Sequence, residues 1–253
     1  MMIEFNVPES FHTFVGSCLE SFKCSAHDKQ HVYRVATLAL SIANTLNPIP
    51  NLRIVYIAAL SHDVLDAKLV SDAHEASSNE QRLRSELSAF LSNEESAMVL
   101  DIVNAVGYKN IISTTFDISQ HSDEYKCVQD ADLLDAVGSV GVARCFSFGG
   151  GRNRDLFGVN DNSERITRDE YIARSQRNYI SGNKDLSGVQ HFFDKLLLIK
   201  SYMTTEKGKA LAQRRQTNML CYLHMLADEL VDAGSVDGEI LVRRLQDFES
   251  KNN

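Results

Sequence analysis

Eight histidines occur in the chain, and four of them, His12, His27, His31 and His62, fall in its first quarter. His27 and His31 are four residues apart, a spacing that puts both imidazoles on one face of a helix. His62 and Asp63 are neighbours at the end of an apolar segment, where two side chains about 100° apart can still face one cleft. Further on, Asp130-Ala131-Asp132-Leu133-Leu134-Asp135 sets three acids among hydrocarbon. Such acids are costly to bury without a cation beside them, and a divalent metal is one such partner. Two imidazoles with two carboxylates form a mixed nitrogen and oxygen donor set that suits Mn, Fe, Co, Ni or Zn and leaves positions for water. The two carboxylates balance a dication, so a phosphate oxygen can approach without large repulsion. The metal would acidify a water and polarise the phosphoryl group.

Other residues could complete a hydrolase. Asp66, one helical turn past Asp63, is a candidate base, with helix capping as its ordinary alternative. Lys68 is a candidate phosphate clamp. Arg144 and Arg152 flank a glycine-rich bend at Phe148–Gly151 and are candidate phosphate contacts. His27 is either a supporting donor or leaving-group acid, or a surface histidine. Arg34 is expected to partner a buried carboxylate. Asp130 and Asp135 either pair with arginines such as Arg34 or Arg144, or one of them replaces Asp132 at the metal. The His-x-x-x-His spacing of His27 and His31 is shared with zinc proteases, but those need Glu after the first His, where this chain has Asp28.

These residues need helices to position them. The three prolines are Pro8, Pro48 and Pro50, so the rest of the chain is free of proline breaks. Val32, Val35, Ala36, Ala39, Ile42, Ala43 and Leu46 recur at helical spacing, predicting a helix from about Asp28 to Asn47-Pro48. Ile54, Ile57, Ala58 and Leu60 predict a second that runs into Ser61-His62-Asp63. Further helices are expected over 81–91, 94–106, 123–136, 139–145, 189–203, 206–230 and 238–248. Ile111–Phe116 is the single strand-like run. Residues 147–184 hold glycines, asparagines and alternating charges with little periodicity, so a loop or lid is expected there. The fold class is all-α. One domain over 1–253 is expected, with a metal-site core at about 27–137 and a C-terminal helical part at about 186–250.

Composition narrows the function. The net charge is −8, against the basic surplus that binding a nucleic-acid polymer requires. No apolar run reaches the roughly 20 residues of a membrane span. Five scattered cysteines without a C-x-x-C pair suit reduced thiols, and the N-terminal stretch lacks the basic region of a signal peptide, so a cytoplasmic location is expected. A homodimer is an allowed assembly.

His31-Val32-Tyr33-Arg34-Val35, then His62-Asp63, then Asp132 resembles the H…HD…D signature of the HD superfamily of metal-dependent phosphohydrolases. The likeness extends through His27–Val35, His62–Lys68, Asp130–Gly138, Ala143-Arg144 and Lys195–Arg215, about residues 20–230, and is similar to a single-domain subgroup of bacteria and fungi. The resemblance implies a mostly helical fold in which His31, His62, Asp63 and Asp132 bind one divalent metal (Mn, Co, Ni, Fe, Mg or Zn). It implies that Asp66 orients the attacking water. It also implies a small phosphorylated substrate, a nucleotide, with pyrophosphohydrolysis of a nucleoside triphosphate as the activity. The alternatives are a monophosphate, cyclic nucleotide or alarmone as substrate, and a metal- and nucleotide-binding module without turnover. Two positions depart from the pattern: Leu133 stands where many relatives carry Arg or Lys, and Val64-Leu65 replaces a glycine-containing turn.

Overall fold

The computed structural model describes residues 5–20, 29–65, 73–113, 115–151, 153–158 and 187–252. Among them the chain is all-α, and it divides into two compact units. The first comprises Met1–Asp135 with Met203–Gly208, and the second Ala136–Tyr202 with Lys209–Asn253.

The first unit is built on α2 (Lys29–Ala43), α3 (Leu52–Ser61) and α7 (Asp123–Asp135), which pack against one another. On α2 the face Val32, Val35, Ala36, Ala39, Ile42 and Ala43 is fully buried, as its three-and-four spacing requires. Helix α3 is buried on every side from Ile57 to Ser61, which explains why its sequence is apolar without a polar stripe. Its start is capped by Asn51, whose side chain accepts from the amides of Arg53 and Ile54. Val128, Ala131 and Leu134 seat α7 in the same core. Around these lie α1 (Glu9–Glu20), α4 (Ala73–Ser88), α5 (Asn93–Ala105) and the short α6 (Tyr108–Ile111). Ser92 and Glu95 close a reciprocal capping box at the start of α5.

The second unit holds α8 (Gly138–Gly151), α9 (Gly188–Asp194), a 3-10 segment Leu196–Tyr202, most of α10 (Glu206–Asp232) and α11 (Val236–Asn252). Its core includes Cys145, Phe192, Leu196, Leu197, Ile199, Leu223, Leu241 and Leu245. The ring of Phe146 meets Phe192 at 5.8 Å and Tyr222 at 6.0 Å.

Three expectations are corrected. Ile111–Phe116 is not a strand: Ile111 closes α6, Ile112 is buried beside it, and a lone β-branched run has no partner for a ladder. Gly149-Gly150-Gly151 is not a bend but the last turn of α8, which ends in a left-handed residue, Asn153 (φ 52°), with Arg154 N–H donating to Gly149 O at 2.8 Å. The loop expected over 147–184 therefore begins later; Ser147 is helical, and 159–186 lie outside the described residues. Helix α1 also lacks a counterpart among the expected elements. Its buried Phe11, Phe14, Val15, Cys18 and Leu19 carry a helical pattern in the sequence. No described helix is long and apolar enough to cross a membrane.

Candidate metal centre

Three elements of the first unit bring four side chains to one place. His31 stands in the first turns of α2, His62 caps the C-terminus of α3, Asp63 follows in the turn, and Asp132 lies on α7. The Nε2 atoms of His31 and His62 are 3.3 Å apart. Asp63 Oδ2 is 3.4 Å from His31 Nε2, and its Oδ1 is 3.4 Å from His62 Nε2. Asp132 Oδ1 lies 3.5 Å from His31 Nε2 and 3.6 Å from His62 Nε2. The two imidazoles are closed off from solvent, whereas the Asp132 side chain is 23% exposed, so the cluster opens on its carboxylate side.

The other nitrogen of each ring is already committed. His62 Nδ1 is 2.7 Å from Ala59 O, and a carbonyl only accepts, so this nitrogen donates. His31 Nδ1 donates to Asp135 Oδ2 at 2.7 Å. Both Nε2 lone pairs are thereby turned toward each other and toward two carboxylates. A cation resolves that convergence. Donors 2.1 Å from a common centre lie about 3.0 Å apart at right angles and about 3.4 Å apart at tetrahedral angles. The separations found here, 3.3 to 3.6 Å, fit that geometry. His31, His62 and Asp63 could hold a metal ion, and Asp132 offers a fourth donor.

The field of the cluster favours positive charge even with protons alone. Burial works against a charged His62, but the Asp63 and Asp132 carboxylates and the Ala59 carbonyl outweigh it and push the imidazole up to about 10. Burial likewise opposes ionisation of Asp132, yet its bonds to His31 and His62 hold it well below the ordinary carboxylate range.

The other two acids of the Asp130–Asp135 segment are engaged elsewhere. Asp135 is buried and takes His31 Nδ1 together with the guanidinium of Arg34, at 2.8 Å to Nε and 3.0 Å to Nη2. Arg34 thus partners a buried carboxylate, as expected. Among the described residues Asp130 meets no guanidinium; its partners there are the amides and hydroxyls of Thr204 and Thr205, at the start of α10. The sequence signal for that cradle was Thr204-Thr205 immediately before a long periodic segment, a helix start whose free amides attract an anion. The Ala59 carbonyl was also missed. It belongs to the last turn of α3, where carbonyls lack intrahelical partners and a histidine three residues on can reach them.

His27, Asp66, Lys68 and Arg152 lie outside the described residues. Arg144 is half-buried on α8, in the second unit. At the departures from the family pattern, Leu133 and Val64 both point into the core, at 2% and 1% exposure.

The HD domain family profile matches residues 29–137, the span that supplies all four donors. Across 230 residues the chain is 34% identical to YpgQ of Bacillus subtilis, covering 90% of this chain and 96% of that one. The crystal structure of YpgQ in complex with ADP matches with a TM-score of 0.64 at 31% identity, over 88% of this chain and 97% of YpgQ. An HD-superfamily hydrolase from Bacillus thuringiensis matches with a TM-score of 0.58 at 29% identity, over 87% and 95% of the two chains. A Lactobacillus plantarum protein, 24% identical over 92% of this chain and 100% of its own, shares the fold with a TM-score of 0.71. The matched profile, the relatives and the clustered donors agree: the chain belongs to the HD superfamily of metal-dependent phosphohydrolases.

Proposed function

We propose that the chain hydrolyses a phosphoric anhydride in a nucleotide, releasing pyrophosphate and a nucleoside monophosphate from a (deoxy)nucleoside triphosphate. The observation that carries this reading is the convergence of two imidazole lone pairs and two carboxylates on one point that opens to solvent. In this reading His31, His62, Asp63 and Asp132 hold one divalent cation. When bound, it supplies Lewis acidity, making water nucleophilic at neutral pH and drawing charge from a phosphoryl oxygen. The chain's own residues do the rest. Ala59 O and Asp135 keep both imidazoles in the Nδ1–H form, with the Nε2 lone pairs aimed at the shared point between the carboxylates. Substrate enters on the side of Asp132, the most exposed of the four. Asp66 orients the attacking water or accepts its proton, and Lys68 neutralises charge on the phosphate oxygens. That YpgQ is found in complex with ADP, a nucleoside bearing an anhydride, supports a nucleotide as the substrate class.

The test is a panel of nucleoside and deoxynucleoside triphosphates with chelator-stripped protein reloaded with Mn, Co, Ni, Fe, Mg or Zn. Products are identified by phosphorus NMR. Pyrophosphate with monophosphate, lost in Asp63→Ala while the helical circular dichroism is retained, is the expected result. Unchanged turnover in that variant refutes the site. Orthophosphate from a monophosphate, or cleavage of a cyclic nucleotide or alarmone alone, replaces the substrate assignment. Tight nucleotide binding without product under every metal replaces the enzyme by a binding module.

A further inference from the structure

Of the three acids in the Asp130–Asp135 segment of α7, Asp135 touches neither Nε2 atom, yet it is bonded to a ring that carries one. We infer that Asp135, held by Arg34, is a positioning residue for the metal centre, an inference that rests on the reading of His31 as a ligand. The carboxylate can only accept, so the 2.7 Å contact obliges His31 Nδ1 to carry the proton and leaves the Nε2 lone pair for the cation. Helix spacing makes the arrangement possible twice over. His31 and Arg34 are three apart on α2, so one carboxylate reaches both. Asp132 and Asp135 are three apart on α7, so one helix meets both nitrogens of the same ring, at 3.5 Å and 2.7 Å.

Arg34 supplies the second half of the device. Its Nε donates to Oδ1 and its Nη2 to Oδ2, the oxygen that also receives His31. That fork fixes the carboxylate plane, which a single bond would leave free to turn. The two ligating imidazoles therefore differ in support. His62 Nδ1 meets a backbone carbonyl that no substitution removes, whereas His31 Nδ1 meets a side chain, the Asp135 carboxylate. Affinity for the cation is then adjustable at Asp135 and Arg34 without altering a ligand. Partners of this kind typically change metal affinity 10–100-fold when removed.

The experiment titrates Mn2+ into the chelator-stripped full chain and counts free ion by EPR, for wild type, Asp135→Ala, Asp135→Asn, Arg34→Ala and Asp135→Ala with Arg34→Ala. Long-range proton–nitrogen NMR of His31 reads the tautomer, and a thermal melt reads the fold. Asp135→Ala is expected to weaken Mn2+ binding about 10–100-fold and to lose the Nδ1–H tautomer as the dominant form. Asp135→Asn, which retains an acceptor for Nδ1, recovers part of the affinity. Arg34→Ala weakens binding less, and it adds nothing when Asp135 is already Ala. Arg34 is partly solvated, so its variant keeps the test open should Asp135→Ala fail to fold. A merely structural tie between α2 and α7 would lower the melting temperature while leaving affinity and tautomer unchanged, and that result overturns the inference. So does an Arg34 effect that persists undiminished in the Asp135→Ala background. A wild-type chain that binds no divalent metal overturns the metal reading and this inference together, whereas wild-type affinity in Asp135→Ala overturns the inference alone.

Discussion

Replacing Asp130 tests whether its carboxylate is a structural anchor distinct from the candidate metal centre two residues away. The side chain is fully buried. Oδ1 receives Thr204 N at 2.9 Å and Thr204 Oγ1 at 3.1 Å, while Oδ2 receives Thr205 N at 2.8 Å and Thr205 Oγ1 at 2.6 Å. Asp130→Ala removes the acceptor of all four donors. The two donors of Thr204 are half-buried and can find water. Those of Thr205, a residue 5% exposed, cannot. Two stranded buried donors at about 1–3 kcal/mol each predict a loss of about 2–6 kcal/mol. Asp130→Asn keeps one oxygen and turns an NH2 toward one threonine, whose hydroxyl can rotate to accept but whose amide is orphaned, a cost of about 1–3 kcal/mol.

Urea unfolding followed by circular dichroism, with chelator present and the slope m compared between variants, measures both numbers. The pH dependence carries a sign. Burial raises the Asp130 carboxyl, and the bonds from Thr205 and Thr204 only partly reverse the rise. A raised folded value makes this group's contribution full below its unfolded value of 3.8 and lost as pH climbs through the folded one. The gap between wild type and Asp130→Asn therefore widens as pH is lowered from 7 toward 4. Mn2+ affinity of the folded variants stays within a few-fold of wild type, because Asp130 meets none of the four donors. An Asp130→Ala chain within about 0.5 kcal/mol of wild type, or an Asn variant costlier than the Ala variant, refutes the reasoning.

Gly208→Ala would normally gain about 0.5–1 kcal/mol of helix propensity, but here the new Cβ drives into the Asp130 carboxylate and Thr205 Oγ1, so the melting temperature falls; a rise shows that the cradle can yield. Ser92→Ala opens the capping box of α5 and costs about 0.5–2 kcal/mol in denaturant unfolding. The bond from the Ser92 amide is the main cause holding the Glu95 carboxyl below its usual 4.5; that contribution is present above 4.5 and lost as pH falls through the folded value, so Glu95→Gln flattens the acid limb of the stability curve. Elemental analysis of the reconstituted chain is expected to find one divalent ion per chain. At one hundred times its Kd, that ion adds about 2.7 kcal/mol to the unfolding free energy, an increment absent in His62→Ala.

The helical class was legible because its causes are local. Apolar residues at three and four on α2 and the absence of proline after Pro50 act within a few turns of chain. The same locality accounts for the errors. Ile111–Phe116 has strand propensity, but propensity decides nothing without a neighbouring strand to pair with. The triple glycine reads as a breaker, yet burial of Cys145 and Gly149 carries α8 through to Gly151.

At the site, residue types and order could be read directly, since His31, His62-Asp63 and an acidic segment around 130–135 are chemically conspicuous in an apolar setting. Their division of labour could not. Asp132 and Asp135 share a helix face and differ by about 4.5 Å along the axis, a difference that has meaning only once α2 is laid against α7. Packing then puts Asp132 at Nε2 of His31 and Asp135 at its Nδ1, and sends Asp130 to threonines more than seventy residues away in the chain. Amino-acid order determined the helices and the inventory of donors, because periodicity and side-chain chemistry are properties of short segments. Tertiary structure alone decided which donor meets which partner, because a hydrogen bond or a metal contact depends on tenths of an ångström between groups far apart in sequence.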